Sequence, residues 1–141
     1  MLLVEGPEDK MAVTETLRKQ EKIKYRTEEI NISIVVAGGK PAMPFIIRVL
    51  NSFRINYVVL CDSDIEMGMN PNAKAVKEKE NQAIAELTKS GKIVIFPFKL
   101  EATVGKPGHF KDQYEAFQFF SDLNNINANL EGIVNSVVEK F

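Results

Sequence analysis

Four short apolar runs, each followed by a stretch with helical spacing, constrain this chain more than any other feature. They are LLVE (2–5), ISIVVA (32–37), YVVLCD (57–62) and IVIFPF (93–98). None of them alternates polar with apolar residues. Each is therefore expected to be a strand buried on both faces, the pattern of a parallel sheet covered by helices. The stretch DKMAVTETLRKQEKI (9–23) has Asp9 as prospective N-cap and sets Val13 and Leu17 on one face. A second helix is expected over 41–55, with Pro41 and Pro44 confined to its beginning and first turn, and a third over 72–91, stopped by Gly91. Pro97 marks the end of the fourth strand or an edge position. LEATVGKPGHF (100–110) reads as a loop, and two helices follow near 111–123 and 127–141. In the last, Leu130, Ile133, Val134, Val137, Val138 and Phe141 make one apolar stripe, for the sheet or for a partner chain.

The expected fold is thus α/β: an open, mainly parallel four-stranded sheet flanked by helices on both faces, with two C-terminal helices. One domain is expected over residues 1–141, with a core over about 1–105 and a helical extension over about 110–141. Right-handed crossovers align the strand C-termini along one edge, and ligands of such sheets bind just beyond it.

Acidic residues gather at two of those strand ends. Glu5 and Asp9 flank the turn after the first strand; Asp62, Asp64 and Glu66 follow the third. In extended backbone, residues i and i+2 point the same way, so Asp62 and Asp64, with Glu66 beyond, are expected to share a face. Crowded carboxylates repel unless a positive charge neutralises them. An oxygen-only donor set suits hard divalent cations, Mg2+ first and Mn2+ next. Taken singly, Asp9 is equally a helix cap, and Asp62-Ser63-Asp64 equally a solvated turn; the two clusters together favour metal. Cys61 is the single cysteine and His109 the single histidine, which leaves no zinc site of ordinary type and makes His109 a lone surface histidine.

Composition bounds the function classes. A net charge of −1 gives no self-sufficient grip on nucleic acid, so ions, a few local lysines or another domain must hold the phosphates. No apolar run reaches the roughly 20 residues that span a bilayer, and no basic segment precedes MLLV as in a signal peptide. Together with the lone cysteine this points to a cytoplasmic location.

VEGPEDK (4–10), AGGK (37–40) and VLCDSD (59–64) resemble the Toprim domain shared by topoisomerases, primases and several nucleases. The form E-G-P-x-D-K is most similar to the Toprim domain of OLD-family (overcoming lysogenization defect) ATP-dependent endonucleases. The resemblance spans about residues 1–105 and implies a Toprim-like, Rossmann-like sheet with a centre for two Mg2+ or Mn2+ ions. It implies Glu5 and Asp9 as ligands or general base on one side, and Asp62 and Asp64 as paired ligands on the other. Glu101 would be a further acidic ligand, and Lys106 would steady transition-state charge, unless it is simply a solvated loop lysine. Gly38 and Gly39 would let backbone approach the site, or simply end a strand.

The resemblance implies a divalent-metal-dependent DNA endonuclease or nickase that cleaves phosphodiester bonds. OLD-type proteins carry an ATPase before the Toprim domain, whereas no G-x-x-x-x-G-K-[ST] occurs here. The chain is therefore expected to be the nuclease part of an ATPase-nuclease, with the ATPase domain or subunit lying outside it, or a small Toprim protein acting alone. The alternatives are a small Toprim ribonuclease and a non-catalytic, metal-stabilised interaction domain that dimerises through its last helix. A topoisomerase would need a tyrosine poised at the metals, and Tyr25, Tyr57 and Tyr114 all sit in or beside elements expected to pack.

Overall fold

The computed structural model describes residues 1–88 and 92–141. Strands β1 (Leu2–Val4), β2 (Ile34–Val36), β3 (Val58–Asp62) and β4 (Ile93–Phe96) form one sheet in the order β2-β1-β3-β4. Every pairing is parallel. Pro97 follows directly after β4, and β4 is also an edge strand, so both readings of that proline hold.

Helices α1 (Pro7–Lys19), α2 (Met43–Ser52) and α3 (Pro71–Leu87) alternate with the strands. A single helical turn, α4 (Leu100–Thr103), follows β4 where the sequence reads as loop, and α5 (Gln113–Ser121) and α6 (Ala128–Glu139) close the chain. Alternation along the strands divides two cores. Leu2, Val4, Val58, Leu60 and Phe96 face α1, α5 and α6, while Leu3, Val59 and Cys61 face α2 and α3.

The apolar stripe of α6 is used within the chain. Leu130, Val134 and Val137 are buried against the first core, Ile133 and Val138 pack on it, and Phe141 remains part-exposed. The final helices therefore complete the face of the sheet that α1 begins, and that stripe is not left over for a partner. The expected stop at Gly91 lies outside the described residues. Among the described residues no helix is long and apolar enough to cross a membrane.

Two helix starts bear on the site. Pro7 takes the first position of α1, where its missing N–H costs nothing and its φ suits the helix. Gly6 is thus the N-cap in place of Asp9. Asp9 sits at the third helical position, and its Oδ2 accepts the Gly6 N–H at 2.7 Å. On the other side of β1, Gly39 has φ 115°, open to glycine but strained for other residues. Its N–H reaches the Glu5 carbonyl at 3.0 Å, which fixes where the next residue, Lys40, enters the fold.

If α6 is integral to the core, Leu130→Ala should cost about 2–4 kcal/mol. Urea unfolding should still show one transition, because the helix melts with the sheet. A variant that loses helix content in a separate early transition would show α6 to be a dispensable appendage.

Candidate functional site

Val4 lies opposite Leu60, so Glu5 leaves β1 one residue beyond that pair and Asp62 ends β3 two beyond it. The strand register thus carries both carboxylates to the same sheet edge. A cavity of about 250 Å3 opens there, lined by Glu5, Gly6, Glu8, Asp9, Asp62, Leu100, Glu101, His109 and Phe110. Four predicted acidic residues, Glu5, Asp9, Asp62 and Glu101, face this one space. Each is tied down by its own element. The Asp9 carboxylate holds the α1 N-terminus; Asp62 Oδ1 accepts the Leu100 N–H at 3.1 Å, anchoring the first turn of α4; Glu101 follows on that turn.

Asp64 lies elsewhere. β3 ends at Asp62, and Asp64 takes a left-handed φ of 56°, so the two-residue alternation of a strand no longer applies. Its N–H bonds the Phe98 carbonyl at 3.0 Å, and its carboxylate turns into a second cavity of about 380 Å3, where Lys40 Nζ approaches Oδ2 at 3.1 Å and Lys77 Nζ at 4.0 Å. Glu5 lines both cavities and so stands between them. Glu66 lines neither cavity and is exposed, because the chain leaves the sheet edge after Asp64.

Lys106 is not itself among the residues lining the carboxylate cavity: its Nζ pairs with Glu115 Oε1 on α5 at 3.3 Å, and also reaches the carbonyl of His109 and lies over the ring of Phe110, two residues that do line it. His109 is not alone: its Nδ1 lies 3.2 Å from Glu101 Oε1 at the mouth of the first cavity. Of the tyrosines, Tyr57 is buried and donates to Asn51 Oδ1, whereas Tyr25 and Tyr114 are exposed rather than packed, and none lines the carboxylate cavity.

Lys40 is the residue that the motif reading passes over. It is 6% exposed, and its Nζ donates to the Asp62 carbonyl at 2.5 Å as well as to Asp64. The signal was present in AGGK: a lysine placed directly after two glycines at the C-terminal end of a strand arrives at the ligand edge of the sheet. Ser63 serves the frame, with Oγ donating to the Pro97 carbonyl, while Asn81 on α3 donates to the Ser63 carbonyl.

Withdrawal from water dominates the electrostatics. Burial, helped by the neighbouring carboxylates Asp62 and Glu5 and opposed by the Gly6 N–H, pushes the Asp9 carboxyl up to about 8. Burial, then the charges of Glu5 and Asp64, push Asp62 up to about 7. Glu5 is raised by burial and by Asp64, with Lys40 pulling the other way. Burial likewise pushes the Cys61 thiol up to about 12, so it is inert packing.

A hard cation fits the donor chemistry of this site. The donors are oxygens, burial disfavours the ionised forms of Asp9, Asp62 and Glu5 as they stand, and Glu5 Oε2 is buried with no hydrogen-bond partner. Among the described residues no three His, Cys, Asp or Glu side chains are already arranged to hold a metal ion. Asp64, which lines the other cavity, would have to rotate its side chain to join Asp9 and Asp62.

Asp9 ties the site to stability in the absence of metal. Its pKa is about 8 folded against 3.8 in the reference state. Below about pH 4 both states hold the proton and no penalty exists. Between about 4 and 8 the unfolded chain ionises while the folded one does not, so stability falls across that window and then levels off. In EDTA, Asp9→Asn, which retains an acceptor for Gly6, should raise the melting temperature at about pH 8 by roughly 3–6 °C, or ~1–2 kcal/mol, and flatten the slope below it. Wild-type stability that climbs from about pH 5 to 8 would contradict this.

The comparisons with known proteins agree with this frame. The family model described as "Overcoming lysogenization defect protein-like, TOPRIM domain" matches residues 1–64, from β1 through Asp64. A search of the curated proteins finds no match. Among solved structures, the chain is similar in fold to the C-terminal region of the Burkholderia pseudomallei OLD protein, with a TM-score of 0.51 and 16% identity, covering 98% of this chain and 79% of that one. Residues 1–64, which supply both acidic strand ends and Lys40, are thus similar in sequence to the OLD-like Toprim domain.

Proposed function

We propose that this chain is a divalent-metal-dependent nuclease domain that cleaves phosphodiester bonds in DNA. The observation that carries the reading is the set of carboxylates around one cavity, buried Asp9 on α1 with part-buried Glu5 after β1, Asp62 on β3 and Glu101 on α4, with Glu5 Oε2 left without a partner, in a chain whose first 64 residues match the OLD-like Toprim domain. Glu5, Asp9, Asp62 and Glu101, with Asp64 after rotation, would hold Mg2+ or Mn2+, two ions in the full centre. Such ions supply neutralisation of the charge that builds on a phosphodiester under attack.

The protein's own residues do the rest. The cavity is lined on one side by the apolar groups of Leu100 and Phe110, which limit water around the carboxylates. Asp9, its carboxyl raised by burial to about 8, is suited to take or return a proton near neutral pH, and burial raises Glu5 in the same direction. The α4 turn, anchored on Asp62, holds Glu101 and, across from it, His109 at the mouth. Lys40, buried beside the carboxylates, is a nearby cation that could steady charge there, as the resemblance implied for Lys106.

Likeness to OLD proteins also suggests that the domain works with an ATPase domain or subunit, since no phosphate-binding G-x-x-x-x-G-K-[ST] occurs in the sequence. The acidic net charge suits a domain that relies on ions and on such a partner to retain DNA.

The test is nicking of supercoiled plasmid with Mn2+. Asp62→Asn and Asp64→Ala should each lower the rate by about a hundredfold or more, while Glu66→Gln leaves it near wild type. Cleavage of structured RNA but not of plasmid would reassign the substrate, and cleavage of neither would overturn the nuclease reading. Calorimetry gives an independent measurement. Because Asp9 and Asp62 must lose protons to bind a cation, Mn2+ affinity should rise between about pH 6 and 8, with protons released on binding. Affinity that is flat across that range would exclude these two carboxylates as ligands.

A further inference from the structure

The second cavity is not explained by carboxylates that hold ions. Its polar lining is Lys40, Lys77, Asp64, Glu5 and Glu80, over the apolar floor of Pro41, Pro44 and Ile84. Two ammonium groups from different elements, one after the Gly38-Gly39 turn and one on α3, converge on a single carboxylate oxygen, Asp64 Oδ2. Lys40 is buried, so its charge was withdrawn from water in order to sit here, and Asp64 is its anionic partner. Lys77 also pairs with Glu80, at 3.0 Å along the exposed face of α3, an attachment of the kind worth little.

We propose that the Lys40–Lys77 cavity is a binding subsite for a phosphodiester oxygen of a nucleic-acid strand, and that the Asp64 carboxylate occupies it in the unloaded protein. The proposal rests on the nuclease reading. Carboxylate and phosphate oxygens are recognised by the same charged donors, so a side chain that satisfies two lysines marks an anion position. The backbone of Asp64 is pinned by its bond to the Phe98 carbonyl, which leaves side-chain rotation as the way out. If Asp64 turns toward Glu5 and Asp62, Lys40 loses its paired carboxylate and Lys77 keeps only its exposed pair with Glu80, so a strand phosphate can take the vacated position. One movement would then both complete the acidic cluster and open the anion subsite, with Glu5 between the two. Self-occupation explains how a domain of net charge −1 keeps a strand-binding position without holding nucleic acid in the unloaded state.

The experiment uses fluorescence anisotropy in EDTA, with a short labelled DNA duplex and an RNA of the same sequence, across a salt series. Asp64→Asn keeps the shape and suits the left-handed backbone, but removes the competing charge. It should tighten binding by about three- to tenfold and steepen the log-log salt slope by about 1. The gain should vanish in the double variant Asp64→Asn/Lys77→Gln, while Lys77→Gln alone changes little because the subsite is already filled. A gain with RNA alone still establishes the subsite and assigns it to RNA; a gain with DNA assigns it to DNA. No gain with either, or a gain that survives loss of Lys77, overturns the proposal. Because the assay contains no divalent ion, its failure is separate from failure of the metal reading, which would appear as absent Mn2+ uptake in calorimetry.

Discussion

Carboxyl groups held out of water must be neutralised, and that requirement organises the whole edge of this sheet. Parallel strands end together, so the acidic residues after β1 and β3 are delivered to one place whatever they do there. The unloaded chain meets the cost in three ways. Asp9 and Asp62 are raised toward neutrality and can keep their protons; Asp62 and Asp9 accept backbone N–H groups from Leu100 and Gly6; Lys40 supplies an internal positive charge. Among the described residues, Glu5 Oε2 is the carboxylate oxygen left buried without a partner. Each device is weaker than a divalent cation in contact with several oxygens, which is the physical reason to expect one there.

The packing shows what keeps the edge in register. Alternate residues of β1 and β3 lock into two separate cores, one closed by α1, α5 and α6, the other by α2 and α3. A slip of one residue would exchange the two sets and bury the carboxylates among Val and Leu side chains. Ser63 and Asn81 add a polar clamp across the end of β3, joining it to β4 on one side and α3 on the other. The position of the acidic groups is therefore a consequence of apolar packing some distance away, and the C-terminal helices contribute to it by closing the first core.

Much of this was legible from the residues. Wholly apolar runs separated by helical stretches dictated a parallel sheet, and parallel topology placed Glu5, Asp9 and Asp62 together without any contact being known. Glu101 was reached only through the resemblance to the Toprim family, and the structure places it on the same cavity. Backbone detail was not legible. Asp64 departs from the face of Asp62 because β3 stops between them and a left-handed residue follows; aspartate tolerates that conformation, yet nothing in D-S-D announces it. Lys106 was set near the site by the resemblance alone, and its pair with Glu115 on α5 is a contact that no motif in the loop announces. The exposure of Tyr25 and Tyr114 has a similar origin, since lying near a packed element does not fix which way a side chain turns.

Lys40 shows why a reading confined to acidic motifs is incomplete. A cluster of negative charge implies a positive one, and here part of that charge comes from the sequence itself, as Lys40 beside Asp64. Gly39, held at φ 115° and bonded to the Glu5 carbonyl, brings the following side chain under the strand ends, where only a long, flexible cation could reach both the Asp62 carbonyl and the Asp64 carboxylate. A lysine suits this better than an arginine, because a compact point charge can exchange partners one donor at a time, without the fixed fork of a guanidinium. The same property makes the pair reversible: Lys40 stabilises the folded, unloaded edge by holding Asp64, and it can release Asp64 when a stronger charge arrives. The Gly-Gly-Lys turn is thus as much a part of the site's chemistry as the carboxylates it sits beneath.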